Sequence, residues 1–277
     1  MNMKLQLVTP GRGARWVRQG FAVFFRRPLA FSALFAGFLF ALLLLLVIPW
    51  VGAVLLLMFL PLASAGFMIA TQIALQGKFP LATVFIAPLR KDKFRRIEQL
   101  KLGVIYAVAS IVIMYLSDFI DDGRFDALQE TMIGGKASQE QLQALLSDPM
   151  LHIGMIVRLT LASLLSLPFW HAPSLIHWGS QTAVKALFFS TVASWRNKGA
   201  FAVYGLTWIG VIVMFGFVVT TTFALLGHPE MVAVAAMPAA LIFSTAFYAS
   251  LYFTFADCFA VAPAAVVPIR SESNDDL

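Results

Sequence analysis

The sequence has 277 residues, of which 60% are hydrophobic and only 12% are charged. Both fractions lie outside the range of soluble globular proteins, so a soluble fold is excluded and a membrane protein is predicted. The formal net charge of +6 does not indicate nucleic-acid binding, because the basic residues stand beside apolar segments, where they set membrane topology. The single cysteine, Cys258, excludes an intrachain disulfide.

The N-terminal region predicts a basic amphipathic helix that is retained in the protein. Within residues 13–28, Arg15, Arg18 and Arg26 fall on one helical face, and the aromatic side chains fall mostly elsewhere. Such a helix is expected to lie in the headgroup layer of anionic lipid, or simply to mark the cytoplasmic side. A signal peptide is rejected, because the apolar run that follows is several times longer than an h-region of roughly 7–15 residues.

Residues 29–75 contain no Lys, Arg, Asp, Glu or His, which is enough apolar sequence for two spanning helices of roughly 20 residues each. Pro49 and Gly52 place the break between the two helices. With the later apolar segments, this predicts an all-α, polytopic membrane helix bundle of about six spans, arranged as three hairpins with short interfacial helices. The predicted spans are residues 28–48, 50–75, 102–118, 151–169, 201–226 and 232–255. They form a single integral membrane domain, 1–257, followed by a short cytoplasmic tail, 258–277.

The distribution of charge predicts the orientation. Six basic residues precede the first span, seven lie between the second and third, three precede the fifth and one lies in the tail, whereas the outer segments hold two. This bias places both termini in the cytoplasm. Residues 118–149 are acidic and are expected on the outer side, with a turn at Gly134-Gly135 and a capping box formed by Ser138 and Gln141.

The chain also carries a weak internal repeat. Each third reads as a short interfacial helix, a basic cluster, one span outward and one span back, starting near residues 20–38, 84–106 and 186–205. Membrane folds often place structurally similar units of this kind around a common centre. The alternative is that any protein built from hairpins with basic inner loops shows this pattern.

The third unit reads APSLIHWGSQTAVKALFFSTVASWRNKGAFAVYG. It resembles a pattern of several bacterial six-helix membrane families, in which Ala-Pro ends a helix, a short amphipathic helix follows, and Arg-Asn precedes the next span. A related membrane domain is fused to some glycerophosphodiester phosphodiesterases. The opening GFAVFFRRPLAF is similar to the start of the same group. The resemblance implies a six-helix fold in the inner membrane of a proteobacterium, and it carries over no catalytic residue.

Arg158 is the strongest candidate for a polar site within the membrane. An ionised side chain inside a span costs roughly 2.5–3.5 kcal/mol, so it is expected to face a partner, a cavity or the interface. Asp118, near the outer end of the third span, is the expected partner. Two interpretations stay open: an anion or headgroup site in the outer half of the bilayer, or a structural pair or snorkelling arginine.

Catalytic, cofactor and metal sites are not predicted. Residues 118–129 resemble a calcium loop only in part, because Ile120 and Gln129 stand where ligands are required. His171 and His177 are separated across a proline, which does not supply a helical metal pair, and with the neighbouring tryptophans they are expected to form an interfacial belt. Phosphate loops, nucleophile elbows and zinc-protease motifs are missing from the sequence.

These observations predict a non-enzymatic membrane protein whose partners are the lipid bilayer, anionic lipid headgroups or another membrane protein. The alternative is a small-solute transporter or channel, which the repeat, Arg158 and the hydroxyl cluster Thr220, Thr221 and Thr222 would support. An intramembrane enzyme would need an acid–base pair or a nucleophile at one depth, which the sequence does not offer. Transport requires polar residues that converge on a cavity, whereas binding is compatible with a filled apolar centre.

Overall fold

A computed structural model describes residues 4–49, 51–133 and 139–259. All regular secondary structure in those ranges is helical. The helices, in chain order, are α1 (Arg12–Arg26), α2 (Pro28–Leu46), α3 (Val51–Leu75), α4 (Ala87–Arg90), α5 (Lys93–Asp121), α6 (Arg124–Ile133), α7 (Gln139–Leu146), α8 (Pro149–Phe169), α9 (Ala172–Gly179), α10 (Ala183–Arg196), α11 (Lys198–Leu225) and α12 (Met231–Cys258). A 3₁₀ turn, Ala82–Phe85, precedes α4.

Within these ranges, six helical segments are long and apolar enough to cross a membrane: α2, α3, α5, α8 continued by α9, α11 and α12. The predicted all-α bundle of six spans is thereby confirmed. The hairpins are α2–α3, α5–α8 and α11–α12, and α6 and α7 link the two helices of the middle hairpin. The predicted turn at Gly134-Gly135, Ser138 of the predicted capping box and residues 260–277 of the predicted tail lie outside the described residues.

The third spanning helix, α5, contains the predicted span 102–118 and extends beyond it at both ends. It starts early because the side chain of Asp92 accepts a hydrogen bond from the backbone N–H of Arg95 at 2.8 Å and caps the first turn. This hydrogen bond lowers the pKa of Asp92. The helix ends where Asp122 and Gly123 adopt positive φ values of 53° and 72°, which turn the chain into α6.

Each unit of the sequence repeat starts with a leading element: α1, the segment 82–90, or α10. The first packs against α11 and α12, the 3₁₀ turn of the second packs against α3, and the third packs against α8. A leading element therefore lies against the hairpin of the preceding unit, and α1 lies against the last one. The second leading element also packs on its own unit, because α4 contacts α5. The predicted repeat is compatible with these contacts and stays a prediction.

The first leading element, α1, packs lengthwise on the last hairpin. Its Trp16 ring lies 5.5 Å from that of Phe201, and five residues later the ring of Phe21 lies 5.3 Å from that of Trp208. Close approach depends on glycine: a Cβ atom at Gly20 would lie 2.4 Å from the carbonyl oxygen of Ala246. The helix is amphipathic with its arginines outward, as predicted, but α11 and α12 rather than lipid cover its apolar face.

The N-terminal segment is tied to the end of α12 by Asp257. The carboxylate accepts hydrogen bonds from Arg12 Nε at 2.8 Å and Nη2 at 2.5 Å, and from Trp16 Nε1 at 2.6 Å. The hydrogen bond with Asp257 raises the pKa of Arg12. Nearby, the side chain of Asn197 accepts a hydrogen bond from the backbone N–H of Val8 at 2.9 Å. These contacts join the two ends of the described chain.

The third leading element, α10, is amphipathic, with small residues on the face toward the protein and large apolar residues on the exposed face. Its inner face carries small residues, among them Ser190 and Ser194, which are buried. Its outer face exposes large apolar side chains: 72% of Val184, 62% of Phe188 and 67% of Trp195 are accessible. Because such a face is unfavourable in water and favourable in hydrocarbon, α10 is suited to lie with its outer side against lipid.

Replacing Asp257 with alanine is expected to loosen the N-terminal segment. The change removes a charged hydrogen-bond acceptor from Arg12 and Trp16, and such hydrogen bonds contribute about 1.5–3 kcal/mol each. Amide hydrogen exchange of residues 6–16, measured on the protein in detergent micelles, should speed up at least about ten-fold. Glu230→Ala, which removes an exposed carboxylate at the other end of α12, is the control. Unchanged exchange in Asp257→Ala would contradict the role given to the carboxylate.

Candidate functional site

The structure brings the two predicted intramembrane residues together. Arg158 on α8 contacts Asp118 on α5, with Nη2 and Oδ1 2.5 Å apart. A second carboxylate, Asp121, lies one turn further along α5 and places its Oδ2 atom 4.0 Å from the same nitrogen. The guanidinium carbon of Arg158 also lies 3.8 Å from the ring centroid of Phe125.

This geometry favours the structural pair over the anion site. Arg158 is only 19% exposed in its side chain, and two carboxylates and an aromatic face already surround its guanidinium group. An incoming anion would meet two negative charges. Asp121 was not predicted as a partner of Arg158, although its i, i+3 spacing from Asp118 places both carboxylates on one helical face. The close packing of α8 depends on Gly154, where a Cβ atom would lie 2.4 Å from Cβ of Asp121.

The acidic segment after Asp118 is helical and does not form a ligand loop. Asp118 lies in the last turns of α5, and Asp126 lies in the first turn of α6. Arg124 Nε pairs with Asp148 Oδ2 at 2.9 Å and links this segment to the start of α8. In the described ranges, no group of three or more His, Cys, Asp or Glu side chains is placed to hold a metal ion.

The expectation that His171 and His177 belong to an interfacial belt is wrong. His171 is completely buried and His177 nearly so. His171 Nε2 lies 3.3 Å from Thr254 Oγ1, and the Trp178 ring stacks on that of Phe255 at 5.2 Å. The Ala-Pro of the sequence pattern starts α9, which turns these rings inward against α12 instead of outward to the membrane surface.

Basic side chains surround one end of the bundle, here called the basic end, where α1, α5, α10 and α11 begin and α12 ends. The exposed ones are Lys4, Arg15, Arg18, Arg26, Arg27, Lys78, Arg90, Lys91, Lys93, Arg96, Lys101, Lys185, Arg196 and Lys198. Burial lowers the pKa of Lys91, and the nearby charge of Arg95 lowers it further. Each acidic residue described at this end is ion-paired: Asp92 with Arg95, Glu98 with Lys101, and Asp257 with Arg12.

A small cavity of about 230 Å³, largely open to the surface of the bundle, lies between α3, α5, α8 and α12. Its polar lining consists of hydroxyl groups from Ser64, Tyr106, Ser166 and Tyr248. Ser64 and Ser166 each donate a hydrogen bond to a carbonyl oxygen of their own helix, at 2.8 Å and 2.7 Å. Because its lining contains no Asp, Glu, Lys or Arg side chain, the cavity is electrically neutral. The threonine cluster 220–222 does not reach it, because these three residues are exposed on α11.

Two grooves open between a hairpin and the leading element of the next unit. The α2/α3 groove, of about 390 Å³, is lined by α2, by Phe59 and Ala63 of α3, and by residues 82–86. The α5/α10 groove, of about 540 Å³, is lined by the first turns of α5 and by residues 182–184. Both grooves occur at equivalent positions of consecutive units.

The chain is similar to a probable inner membrane protein of Burkholderia thailandensis. The two sequences are 36% identical over 265 residues, which cover 94% of this chain and 95% of the relative. No family model matches the chain. No solved structure matches it either.

Arg158→Leu is expected to destabilise the folded protein, because it leaves the buried Asp121 and its neighbour Asp118 without their cation. Hydrogen bonds to charged groups contribute about 1.5–3 kcal/mol, and both single variants, Arg158→Leu and Asp118→Leu, should lose stability in this range. Thermal unfolding in detergent is the measurement. The double variant should be less destabilised than the sum of the two single ones, by about 0.5–3 kcal/mol. Strict additivity would mean that Arg158 only snorkels.

Proposed function

We propose that this chain, which belongs to the family of the probable inner membrane protein of Burkholderia thailandensis and is an integral inner-membrane protein, is a non-enzymatic component that binds anionic lipid. The similarity of its third unit to a membrane domain fused to some glycerophosphodiester phosphodiesterases is consistent with a lipid-related role. That similarity assigns no residue a chemical function. The alternative partner of such a component is another membrane protein.

The observation that carries this proposal is the uncompensated positive charge of the basic end. The acidic side chains described there are already ion-paired, so the exposed lysines and arginines other than Lys101 keep their charge available for an external partner. Each Lys or Arg near an anionic membrane surface contributes about 1 kcal/mol of attraction. In the predicted orientation, with both termini in the cytoplasm, these side chains face the headgroups of the inner leaflet.

The outer face of α10 combines this charge with apolar anchors. The ammonium group of Lys198 lies 5.5 Å from the ring centroid of the exposed Trp195. Arg196, which follows Trp195 in the sequence, is also exposed. Tryptophan is favoured at the level of the lipid headgroups, and basic residues beside it favour anionic ones. Lys185 extends the same charge to the first turn of the helix.

The packing near the basic end of the bundle also supports binding over transport. The largest fully buried side chains of the described residues are Trp16, Phe31, Phe67, Met68, Tyr252 and Phe255. Trp16 contacts Asp257 at the end of α12, and Phe255 lies in the last turn of that helix, so large side chains fill the half of the bundle nearest the basic end. They leave little room there for a continuous aqueous pathway, and charged groups are rare in the spans. The Arg158 pair belongs to the opposite, acidic end, where Asp118 and Asp121 both lie beside the guanidinium group.

The transporter alternative rests on the small cavity between four helices. Its hydroxyl groups come from α3, α5, α8 and α12, which is the convergence that a substrate site requires. The lining is neutral, so this alternative would concern a small uncharged solute. It differs from lipid binding in requiring that water reaches the cavity from one side of the membrane.

Neutralising the α10 surface is expected to weaken binding of anionic lipid. In the triple variant Lys185→Gln, Arg196→Gln, Lys198→Gln, each lost charge should lower the preference for phosphatidylglycerol over phosphatidylcholine about five-fold. The preference is measured by native mass spectrometry with the two lipids, of identical chains, in competition. Asp122→Asn, Asp126→Asn, Glu130→Gln, at the acidic end, is the control of equal size. Equal retention of both lipids by the unaltered protein would refute the proposal.

Accessibility of the cavity separates lipid binding from transport. With Cys258 replaced by serine, Ser64→Cys and Ser166→Cys should react slowly with a membrane-impermeant maleimide applied to either face of reconstituted vesicles. Lys185→Cys, at the exposed start of α10, should react fast and is the control. Fast labelling of both cavity positions would favour the transporter alternative.

A further inference from the structure

The α2/α3 groove is walled on three sides. One wall is α2 and the second is α3, and the third is the segment 82–86, which leans on both. Phe85 holds this third wall in place: its ring lies 5.1 Å from that of Phe67 and 5.9 Å from that of Phe38. A Cβ atom at Gly66 would lie 2.5 Å from the Phe85 ring, so only glycine lets the segment approach α3 so closely.

The α2 wall of the groove is smooth because its exposed residues are small. Ala33, Gly37 and Ala41 follow one another at intervals of four and share one helical face. A Cβ atom at Gly37 would have no heavy atom within 4 Å, so this position faces open space. Larger apolar side chains, Phe38 and Leu42, flank the small ones. The result is a channel between ridges and not a flat lipid-facing surface.

The groove is longer than one leaflet of a bilayer is thick. Its lining on α2 extends from Ala33 to Leu45, which is about 18 Å at 1.5 Å per residue, and it reaches the outer end of this span. Half of the hydrocarbon core of a bilayer is about 15 Å thick, so an acyl chain that starts beside Arg27 fills the part of the groove nearest the basic end. The walls are apolar along that part.

Positive charge stands at the end of the groove that lies nearest the basic end. Arg27 precedes Ala33 by six residues, or about 9 Å along the helix. Its Nη2 atom donates a hydrogen bond to the carbonyl oxygen of Gly77 at 2.8 Å, which brings Lys78 to the same place. Arg26, Arg27 and Lys78 are all exposed. An acyl chain in the groove would therefore emerge beside three cations.

We propose that the α2/α3 groove is a specific site for one anionic glycerophospholipid, with an acyl chain between α2, α3 and residues 82–86 and the phosphate at Arg26, Arg27 and Lys78. This inference rests on the proposed function and adds a defined site and ligand class to it. Such a lipid would fill the space that the leading element of the second unit leaves open.

The equivalent groove between α5 and α10 is unsuited to the same ligand. Glu98 lies on its floor and accepts a hydrogen bond from the backbone N–H of Ala183 at 2.7 Å. The ammonium group of Lys101 is already engaged with this carboxylate at 2.8 Å. A phosphate there would meet a negative charge and a compensated cation. Charge, and not groove size, distinguishes the two positions.

The test is native mass spectrometry of the full-length protein after extraction in mild detergent and washing, followed by titration with phosphatidylglycerol or phosphatidylcholine of identical chains. The unaltered protein should keep one phosphatidylglycerol. Gly37→Phe fills open space in the groove and should weaken this binding at least ten-fold. Gly210→Phe, at a glycine of α11 that also has no heavy atom within 4 Å of a Cβ position, should bind like the unaltered protein. Ala41→Phe blocks the same groove should Gly37→Phe fail to fold.

The positive charge at the end of the groove nearest the basic end is tested separately. Arg26→Gln, Lys78→Gln leaves the Arg27 hydrogen bond intact and should lower phosphatidylglycerol binding about ten-fold or more, with little change for phosphatidylcholine. Retention of one lipid by Gly37→Phe and Ala41→Phe would overturn the groove site. Dimers that both variants abolish would overturn it as well, because the occupant would then be a second copy of the chain.

The outcomes for this site and for the general function are distinguishable. If the α10 triple variant loses its preference for phosphatidylglycerol while the groove variants retain one lipid, the groove inference fails and the proposed function stands. If the unaltered protein keeps phosphatidylcholine as readily as phosphatidylglycerol, both fail. Loss of one phosphatidylglycerol in the groove variants alone, with Gly210→Phe unchanged, supports the site.

Discussion

The docking of α1 on α11 and α12 is the constraint on which the arrangement of the other helices depends. It joins the first unit of the chain to the last and closes the sequence of leading elements, each of which lies against the preceding hairpin. Closure requires that backbones approach closely, which Gly13 and Gly20 permit. It also requires a partner for the groups that this contact removes from water, and the carboxylate of Asp257 provides one for Arg12 and Trp16.

The same requirement explains the polar residues buried at the basic end. A polar group in an apolar environment costs free energy unless it is hydrogen-bonded, and this cost is greatest where lipid replaces water. Asn197 and Glu98 meet it by accepting hydrogen bonds from backbone groups of the N-terminal segment and of the start of α10. The Nε2 atom of Gln99 meets it by donating to the carbonyl oxygen of Pro173 at the start of α9. Polar side chains thus fix where each short helix sits, in a protein whose spans offer mainly apolar contacts.

The way in which units meet also creates the surfaces available to lipid. A leading element covers only part of the hairpin before it, so a groove remains at each of two such contacts. At the closing contact, the aromatic rings of Trp16 and Phe21 pack on α11 and α12 instead. The acidic side chains described at the basic end are ion-paired, and Arg26, Arg27 and Lys78 stay exposed beside the α2/α3 groove. The proposed lipid binding rests on this combination of an apolar groove and positive charge.

The sequence by itself determined the membrane class, the six spans and the clustering of basic residues in the loops of one side. The reason is that the length of an apolar segment and the charge of a loop are local properties, which decide insertion into a bilayer without tertiary contacts. It also paired Arg158 with Asp118, since an isolated ion in a span needs a partner. Only the tertiary structure decided that His171 is buried, that Asp121 joins the Arg158 pair and that the apolar face of α1 meets protein. An apolar side chain is equally stable against lipid or against another helix, so hydrophobicity alone cannot distinguish the two.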